Sequence, residues 1–417
     1  MEAYLIATAC TKFEKKPDQT FKDLTEEVYR ELLKSAKVEN GDMIGQAWFG
    51  NCGMGTFGQN NIRGQVCFTP LVQKKMFPER IGIVNVEGGC ATGSMAFHGA
   101  WKDIISGTED VSLAIGVEKI YQPNRPEKIQ EIYDGGIDQF DRNEWLDFYK
   151  SIGDQLDKPF DPENKKGTIF MDTYGLQALW HMKTYGTTQR QIALAASKNH
   201  FHGSLNDKAQ YQFKVSVEDV LNDREVSYPL TRAMCAPIGD GAAAALICSE
   251  KGLKHFPTEI QQSAIKIKAS VISGGKYRTP HEPGLSRVAA QKAYKQADLE
   301  PKDVNVVEVH DATSFCEIYQ LEMLGFCEVG SGGKFVEEGH TKLGGRLPVN
   351  LSGGLVSKGH PVGATGLSMV HELAIQLRGE AGNRQSERNK IGLAENGGGV
   401  IGFEEAACSV IILESSC

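Results

Sequence analysis

Apolar residues fall along this chain in two rhythms. Tyr4–Cys10 (YLIATAC), Met43–Phe49 (MIGQAWF), Ile81–Val86 (IGIVNV) and Val111–Val117 (VSLAIGV) are short, nearly continuous apolar runs. Such runs predict strands covered on both faces. Between them, Phe21–Ala36 places Leu24, Val28, Leu32 and Leu33 at helical spacing. Strand, helix, strand, strand, helix, strand is the order of a layered α/β fold. From 120 to 235 the pattern changes: charges and aromatics (Tyr121, Tyr133, Phe140, Trp145 and Phe148, then Tyr149, Phe160 and Phe170) are interleaved with turn signals. Helices are predicted there at Thr173–Tyr185 and Gln189–His200. This stretch reads as a long insertion folded over the core as a lid. Gly239-Asp240-Gly241 then turns into the strand AAAALICS, which closes a first half.

The remainder repeats that half. Ala264–Val271 resembles the opening strand and Arg287–Ala297 the first helix. Asp303–His310 parallels Asp42–Phe49, and Val349-Asn350…Gly353-Gly354 parallels Val84-Asn85…Gly88-Gly89. Four matched segments in the same order at a nearly constant offset predict an internal duplication, with loops from both halves meeting at one site. The expected division is 1–119 with 236–262 as the N-terminal half, 120–235 as the insertion and 263–417 as the C-terminal half.

Composition narrows the function. The 417 residues carry a net charge of -8 and a pI near 5.8, which argues against nucleic acid or an anionic membrane as the main partner. No apolar run is long enough to span a bilayer, MEAYLIATACTKF lacks an export signal, and the terminal Ser-Ser-Cys is not a peroxisomal address. None of the ten cysteines forms a CxxC pair or fits a zinc module. A reducing cytoplasm is expected, with neither metal nor tightly bound cofactor.

The candidate chemistry begins at Cys90. In VNVEGGCATGSMAFHGAW it follows a strand end and a Gly88-Gly89 turn and precedes a helix rich in small residues. The free N–H groups at a helix start favour a thiolate; the alternative is a buried cysteine acting as a small hydrophobe. His310 (VEVHDAT) and His360 (SGGLVSKGHPVGATG) also fall near strand ends, where α/β folds gather catalytic groups. A cysteine with two histidines can carry out acyl transfer. One imidazole takes the thiol proton, and N–H groups hold the oxyanion.

GGCATGS, HDA, GGLVSKGHPVGATG and ENGGG in this order resemble the thiolase superfamily, and His-Asp-Ala resembles its sterol-carrier-protein-X and archaeal acetoacetyl-CoA thiolase branch. The resemblance implies the duplicated, five-layered αβαβα thiolase fold, a homodimer, and coenzyme A as co-substrate. It implies Cys90 as the acylated nucleophile, His360 as its base and His310 as the group binding the thioester oxygen. Gly398 and Gly399, with Asn396, fall in the loop that shapes the acyl oxyanion hole. Most thiolases carry a second catalytic cysteine; here the matching positions hold Asn396 and Ala312, which makes Cys316 a candidate acid/base. Thr313 replaces the usual Phe and is expected to alter the acyl pocket.

The implied reaction is cleavage of a 3-oxoacyl-CoA by free CoA, or the reverse Claisen condensation. The aromatic insertion suggests a bulky or aromatic acyl group such as benzoylsuccinyl. The alternative implied by the branch is a retro-aldolase acting on a hydroxyacyl-CoA steroid side chain with a small zinc-ribbon/OB-fold partner. Those relatives do not need the acyl-accepting cysteine, so Cys90 in its full GGCATGS context favours the thiolase.

Overall fold

A computed structural model describes residues 1–158 and 168–415. Phe160 lies outside that range. The first half runs β1 (Ala3–Cys10), α1 (Phe21–Ala36), β2 (Gln46–Gly50), α2 (Arg63–Gln73), β3 (Gly82–Val86), α3 (Thr92–Ser106) and β4 (Val111–Glu118). The insertion follows as α4 (Pro126–Asp134), α5 (Arg142–Gln155), α6 (Ile169–Tyr185), α7 (Gln189–Gly203) and α8 (Val217–Asn222), with a small hairpin of β5 (Glu225–Ser227) and β6 (Leu230–Thr231). β7 (Gly241–Ser249) closes the half. After α9 (Thr258–Gln262) come β8 (Ile265–Gly274), α10 (Leu285–Ala297), β9 (Val306–Val309), α11 (Ser314–Met323), α12 (Gly332–Glu337), α13 (Gly354–Lys358), α14 (Thr365–Leu377), β10 (Ile391–Gly398) and β11 (Ala407–Glu414).

The duplication is visible in strand order. The nine-stranded sheet runs β3-β2-β4-β7-β1-β8-β11-β10-β9. β2 pairs in parallel with β3 and β4, and β7 runs antiparallel between β4 and β1. In the second half β9 pairs in parallel with β10, and β11 runs antiparallel between β10 and β8. The counterpart of β3 is reduced to a single parallel bridge, Val307 to Val349. The halves join edge to edge through two residue pairs, Tyr4 with Lys266 and Leu5 with Ile265. They are therefore one hydrogen-bonded sheet folded around its helices, not two separate sheets facing each other.

Two helices lie inside that fold. α3 and α14 share one core with residues from the strands of both halves, including Leu5, Ala114, Ile267 and Ile411. Small residues let α3 fit there: Gly93, Ser94, Ala96, Gly99 and Ala100 are all buried. From α14, Leu367, Val370 and Leu373 are wholly buried; each contributes roughly 1.5–3 kcal/mol of apolar burial. α1 covers the outer face of the first half, where its buried Leu24, Val28, Leu32 and Leu33 join β1, β2 and β4. It starts cleanly because Thr20 and Asp23 form a reciprocal capping box. α10 and α11 cover the outer face of the second half. Helix, sheet, helix, sheet, helix gives the five layers.

Two elements begin elsewhere than the pattern predicts. β2 starts at Gln46 instead of Met43, because the Ile44 N–H closes a turn onto the Gly41 carbonyl. α6 starts four residues early, at Ile169, after an extended Thr168. The insertion's aromatics divide into two groups: Trp145 and Tyr149 are fully buried in the second half's core, whereas Phe140 is fully exposed. Among the described residues, no helix is long and apolar enough to cross a membrane.

Candidate active site

The turn between β3 and α3 sets the position of Cys90. Gly89 takes φ +56, the left-handed region open to glycine. Thr92 Oγ1 accepts the Gly88 N–H at 2.9 Å and Glu87 Oε1 accepts the Gly89 N–H at 2.6 Å. The loop after β10 lies directly on this turn. A Cβ on Gly398 would sit 2.8 Å from the Cys90 nitrogen, so only glycine allows that approach.

His360 arrives from the other half, on the loop before α14. Its Nε2 is 3.1 Å from Cys90 Sγ, and its Nδ1 is 2.7 Å from Thr365 Oγ1. The Thr365 hydroxyl donates its proton to the Pro361 carbonyl at 3.0 Å. It must therefore accept from Nδ1–H, which leaves the Nε2 lone pair facing the sulfur. The third group is His310, at the end of β9. Its ring centroid is 5.3 Å from that of His360. One ligand atom each from Cys90, His310 and His360 lies within 4.8 Å of the others. That donor set would also fit a thiophilic metal ion, which would block the base. His310 Nε2 is buried and has no hydrogen-bond partner among the described residues. A buried imidazole N–H left unpaired is costly and is available to an incoming oxygen.

The electrostatics depart from the sequence expectation. Cys90 keeps some exposure through its cavity, yet burial of its sulfur pushes the thiol up to about 12, with the Glu87 carboxylate adding to the effect. Burial also holds His360 well below the usual imidazole range, helped by His310 and Lys358. Burial takes His310 down to about 4. The resting pair is a neutral thiol beside a neutral imidazole, not the standing thiolate that the helix start suggested. Enclosure outweighs the few N–H dipoles at the turn.

The remaining candidates fall around this trio. Gly398 ends β10 and Gly399 opens the loop over Cys90, with φ +65. Asn396 points into the central layer, where its Oδ1 accepts the Ser94 hydroxyl at 2.9 Å. Cys316 is buried in the first turn of α11, 3.4 Å from Thr313 Oγ1, and is not among the three mutually close groups. Burial raises its thiol further than that of Cys90.

Two positioning features carry no sequence pattern. Glu118 ends β4 as a single carboxylate after an apolar strand. Fully buried, it accepts N–H groups from Cys52 and Gly53 at 3.0 Å and from Gly363 at 3.1 Å. It thus ties the loop carrying His360 to the half carrying Cys90. Behind His310, Asp311 accepts the Asn199 amide at 2.8 Å and the Leu355 N–H at 2.6 Å, while Lys198 pairs with Glu317 at 2.6 Å. Asn199 and Lys198 belong to α7, so the insertion braces the His310 loop from behind.

Two cavities lie in this region, and of the two the first is lined by a member of the trio. One, of about 480 Å³, is lined by Cys90 together with Ile132, Tyr133, Phe170 and Val362. The other, of about 800 Å³, is lined by His200, Tyr211, Phe213, Arg224 and Arg232.

Residues 3–219 match the thiolase N-terminal domain, and residues 282–414 match a domain described as thiolase C-terminal domain-like. The chain belongs to the thiolase family. This thiolase is 34% identical over 403 residues to an acetyl-CoA acetyltransferase of Methanothermobacter thermautotrophicus, covering 95% of this chain and 96% of the relative. It is 32% identical to human sterol carrier protein 2, covering 97% of this chain and 73% of that protein. It is 30% identical to the benzoylsuccinyl-CoA thiolase subunit BbsB of Thauera aromatica, covering 86% and 84%. In fold it is similar to the solved Ltp2-ChsH2(DUF35) aldolase, with a TM-score of 0.76 at 20% identity over 100% of this chain and 98% of that one.

Proposed function

We propose that this thiolase cleaves a 3-oxoacyl-CoA with free coenzyme A through an acyl-Cys90 intermediate, or runs the reverse condensation. The observation that carries this reading is the Cys90 Sγ–His360 Nε2 contact of 3.1 Å with Nδ1 tied to Thr365. As Sγ attacks the 3-keto carbon, the thiol proton passes to Nε2, so neutral partners become charged only in the transition state. The oxyanion on the acyl group meets backbone N–H groups of the Cys90 turn and the Gly398–Gly399 loop. The C2–C3 bond breaks, the departing enolate oxygen accepts a hydrogen bond from His310 Nε2–H, and the enolate carbon takes the proton from His360, which returns that imidazole to its neutral form. Free CoA then attacks the acyl-cysteine, and His360 accepts its proton in turn.

The 800 Å³ cavity suits coenzyme A. His200 stacks on Phe213 with ring centroids 5.7 Å apart and planes 20° apart, offering an adenine a stacking face, and Arg224 offers charge to phosphates, together with Arg232, which is paired with Asp223 at 2.9 Å. The acyl group is bulkier than acetoacetyl, with benzoylsuccinyl as an example of the size. The 480 Å³ volume supports this, since sites for whole small molecules begin near about 300 Å³. The reading includes the three-part division 1–119 with 236–262, 120–235 and 263–417, a homodimeric core, a reducing cytoplasm and a small zinc-ribbon/OB-fold subunit as auxiliary partner. The fold neighbour is an Ltp2-ChsH2(DUF35) aldolase, which supports looking for such a subunit here. Retention of Cys90 against His360 argues against the retro-aldolase.

The test is a panel of 3-oxoacyl-CoA thioesters assayed with and without free CoA and with and without co-purified small proteins. Turnover that depends on free CoA supports the thiolase; carbon–carbon cleavage that proceeds without it overturns the reading.

A further inference from the structure

The two cavities at the active site share a residue that no motif accounts for. Tyr133 lines both the 480 Å³ space at Cys90 and the 800 Å³ space beyond it. It sits near the end of α4, a helix with no fully buried residue. The ring packs from the edge against the second half's core, and two further contacts bear on its position. The Gly136 carbonyl accepts the Val400 N–H at 2.8 Å, and Val400 follows the Gly398–Gly399 loop that lies against Cys90. Phe170 meets the Tyr133 ring edge-on, with centroids 6.3 Å apart and planes 69° apart. The turn after α4 is thus tied by its backbone to the same loop that lies against Cys90. Cys90 and Glu118 act electrostatically on its hydroxyl, which burial raises above the ordinary phenol range.

We infer that Tyr133 is the wall that sets how large an acyl tail this thiolase accepts. This rests on the proposed reaction, with coenzyme A in the larger cavity and the tail in the smaller. The tail lies against Ile132, Phe170 and Val362, the apolar part of a lining that also holds Glu87, Glu131 and Asn60; that apolar part suits a branched or aromatic hydrocarbon. The face of the phenol ring, not its hydroxyl, does the selecting. Removing the ring widens the space beside Cys90; enlarging it shortens the tail that fits.

The test compares Tyr133→Ala, Tyr133→Phe and Tyr133→Trp with the parent enzyme. The first readout is the ratio of kcat/KM for 3-oxo-3-phenylpropionyl-CoA to that for acetoacetyl-CoA, both with free CoA. The Ala variant raises this ratio about tenfold or more, the Trp variant lowers it by a similar factor, and the Phe variant stays within about twofold. The second readout needs no thioester. Cys90 is alkylated with N-phenylmaleimide or iodoacetamide, and the rates are read from the mass of the Cys90 peptide. The phenyl-to-small rate ratio follows the same order across the variants. Ratios that stay flat in both assays overturn the inference, as does a Phe variant that shifts as far as the Ala variant. If the parent cleaves no 3-oxoacyl thioester with CoA, the reaction proposal falls, and the alkylation ratios alone decide whether the ring is a wall.

Discussion

The two halves of this thiolase share a frame and differ in what stands at the strand ends. In the first half, β3 and its turn deliver Cys90 to the start of α3. In the second, the segment after Val349 delivers His360 just before α14. The two central helices start at the same point from opposite halves, and a 3.1 Å contact joins their loads. The ends of β2 and β9 contrast more sharply. After β2, Asn51 is fully satisfied: its amide donates to the Val117 carbonyl at 2.7 Å and to Glu118 at 3.0 Å, and its Oδ1 accepts the Met54 N–H. After β9, His310 is left with an unpaired nitrogen. One copy of the frame pairs its polar end within the fold, and the other leaves a nitrogen unpaired. Duplication supplies two equivalent positions, and a single site needs only one of each pair to be reactive.

This contrast can be broken or sharpened by experiment. Cys90→Ala lowers CoA-dependent cleavage by about 10⁴-fold or more, and His360→Ala by about 10²–10⁴-fold, without loss of fold. A Cys90→Ala protein that still turns over at the parent rate would mean the halves do not supply a nucleophile and its base. Next, His310→Ala costs about 10²–10³-fold in kcat with little change in melting temperature. Asn51→Ala does the reverse: it lowers the melting temperature and moves kcat less. Equal effects of the two on kcat would erase the distinction between a structural and a reactive strand end. Glu118→Ala strips partners from buried N–H groups, at a cost of about 1–3 kcal/mol for each left unsatisfied; thermal unfolding reads the loss. Its kcat falls too, because the Gly363 loop carries His360.

The smallest effect is a slope. The Cys90 thiol is raised to about 12 and His360 is held neutral, so the thiolate fraction keeps climbing as pH rises. Iodoacetamide labelling of Cys90 therefore increases about tenfold per pH unit through pH 9. A plateau between pH 6 and 8 would reveal a standing ion pair and restore the thiolate expected from the turn alone.

Much of the frame is readable in the sequence, because β1, β4 and β7 are written as nearly unbroken apolar runs and α1 as a regular stripe; β3 reads the same way, but it is an edge strand and stays half-exposed instead of covered on both faces. Cys90 and His360 were readable because glycines on both sides mark places where backbone must bend or meet. What could not be read depends on approach in space. Glu118 is a lone acid after VSLAIGV; nothing local says that Gly363, from the other half, will donate to it. The tautomer of His360 depends on where one threonine proton goes. The insertion's aromatics form no periodic pattern, so Trp145, which packs the core, and Tyr133, which faces the site, look alike in sequence. The thiolate expectation failed for the same reason: a helix start is visible in sequence, but the enclosure around the sulfur is not.

That enclosure has a consequence for how the enzyme ages. Hydrogen peroxide and common electrophiles attack thiolates far faster than thiols. A sulfur that keeps its proton until a carbonyl is in place is a poor target for either, even though a cavity leads to it. Peroxide is therefore expected to consume Cys90 more slowly than it would a standing thiolate.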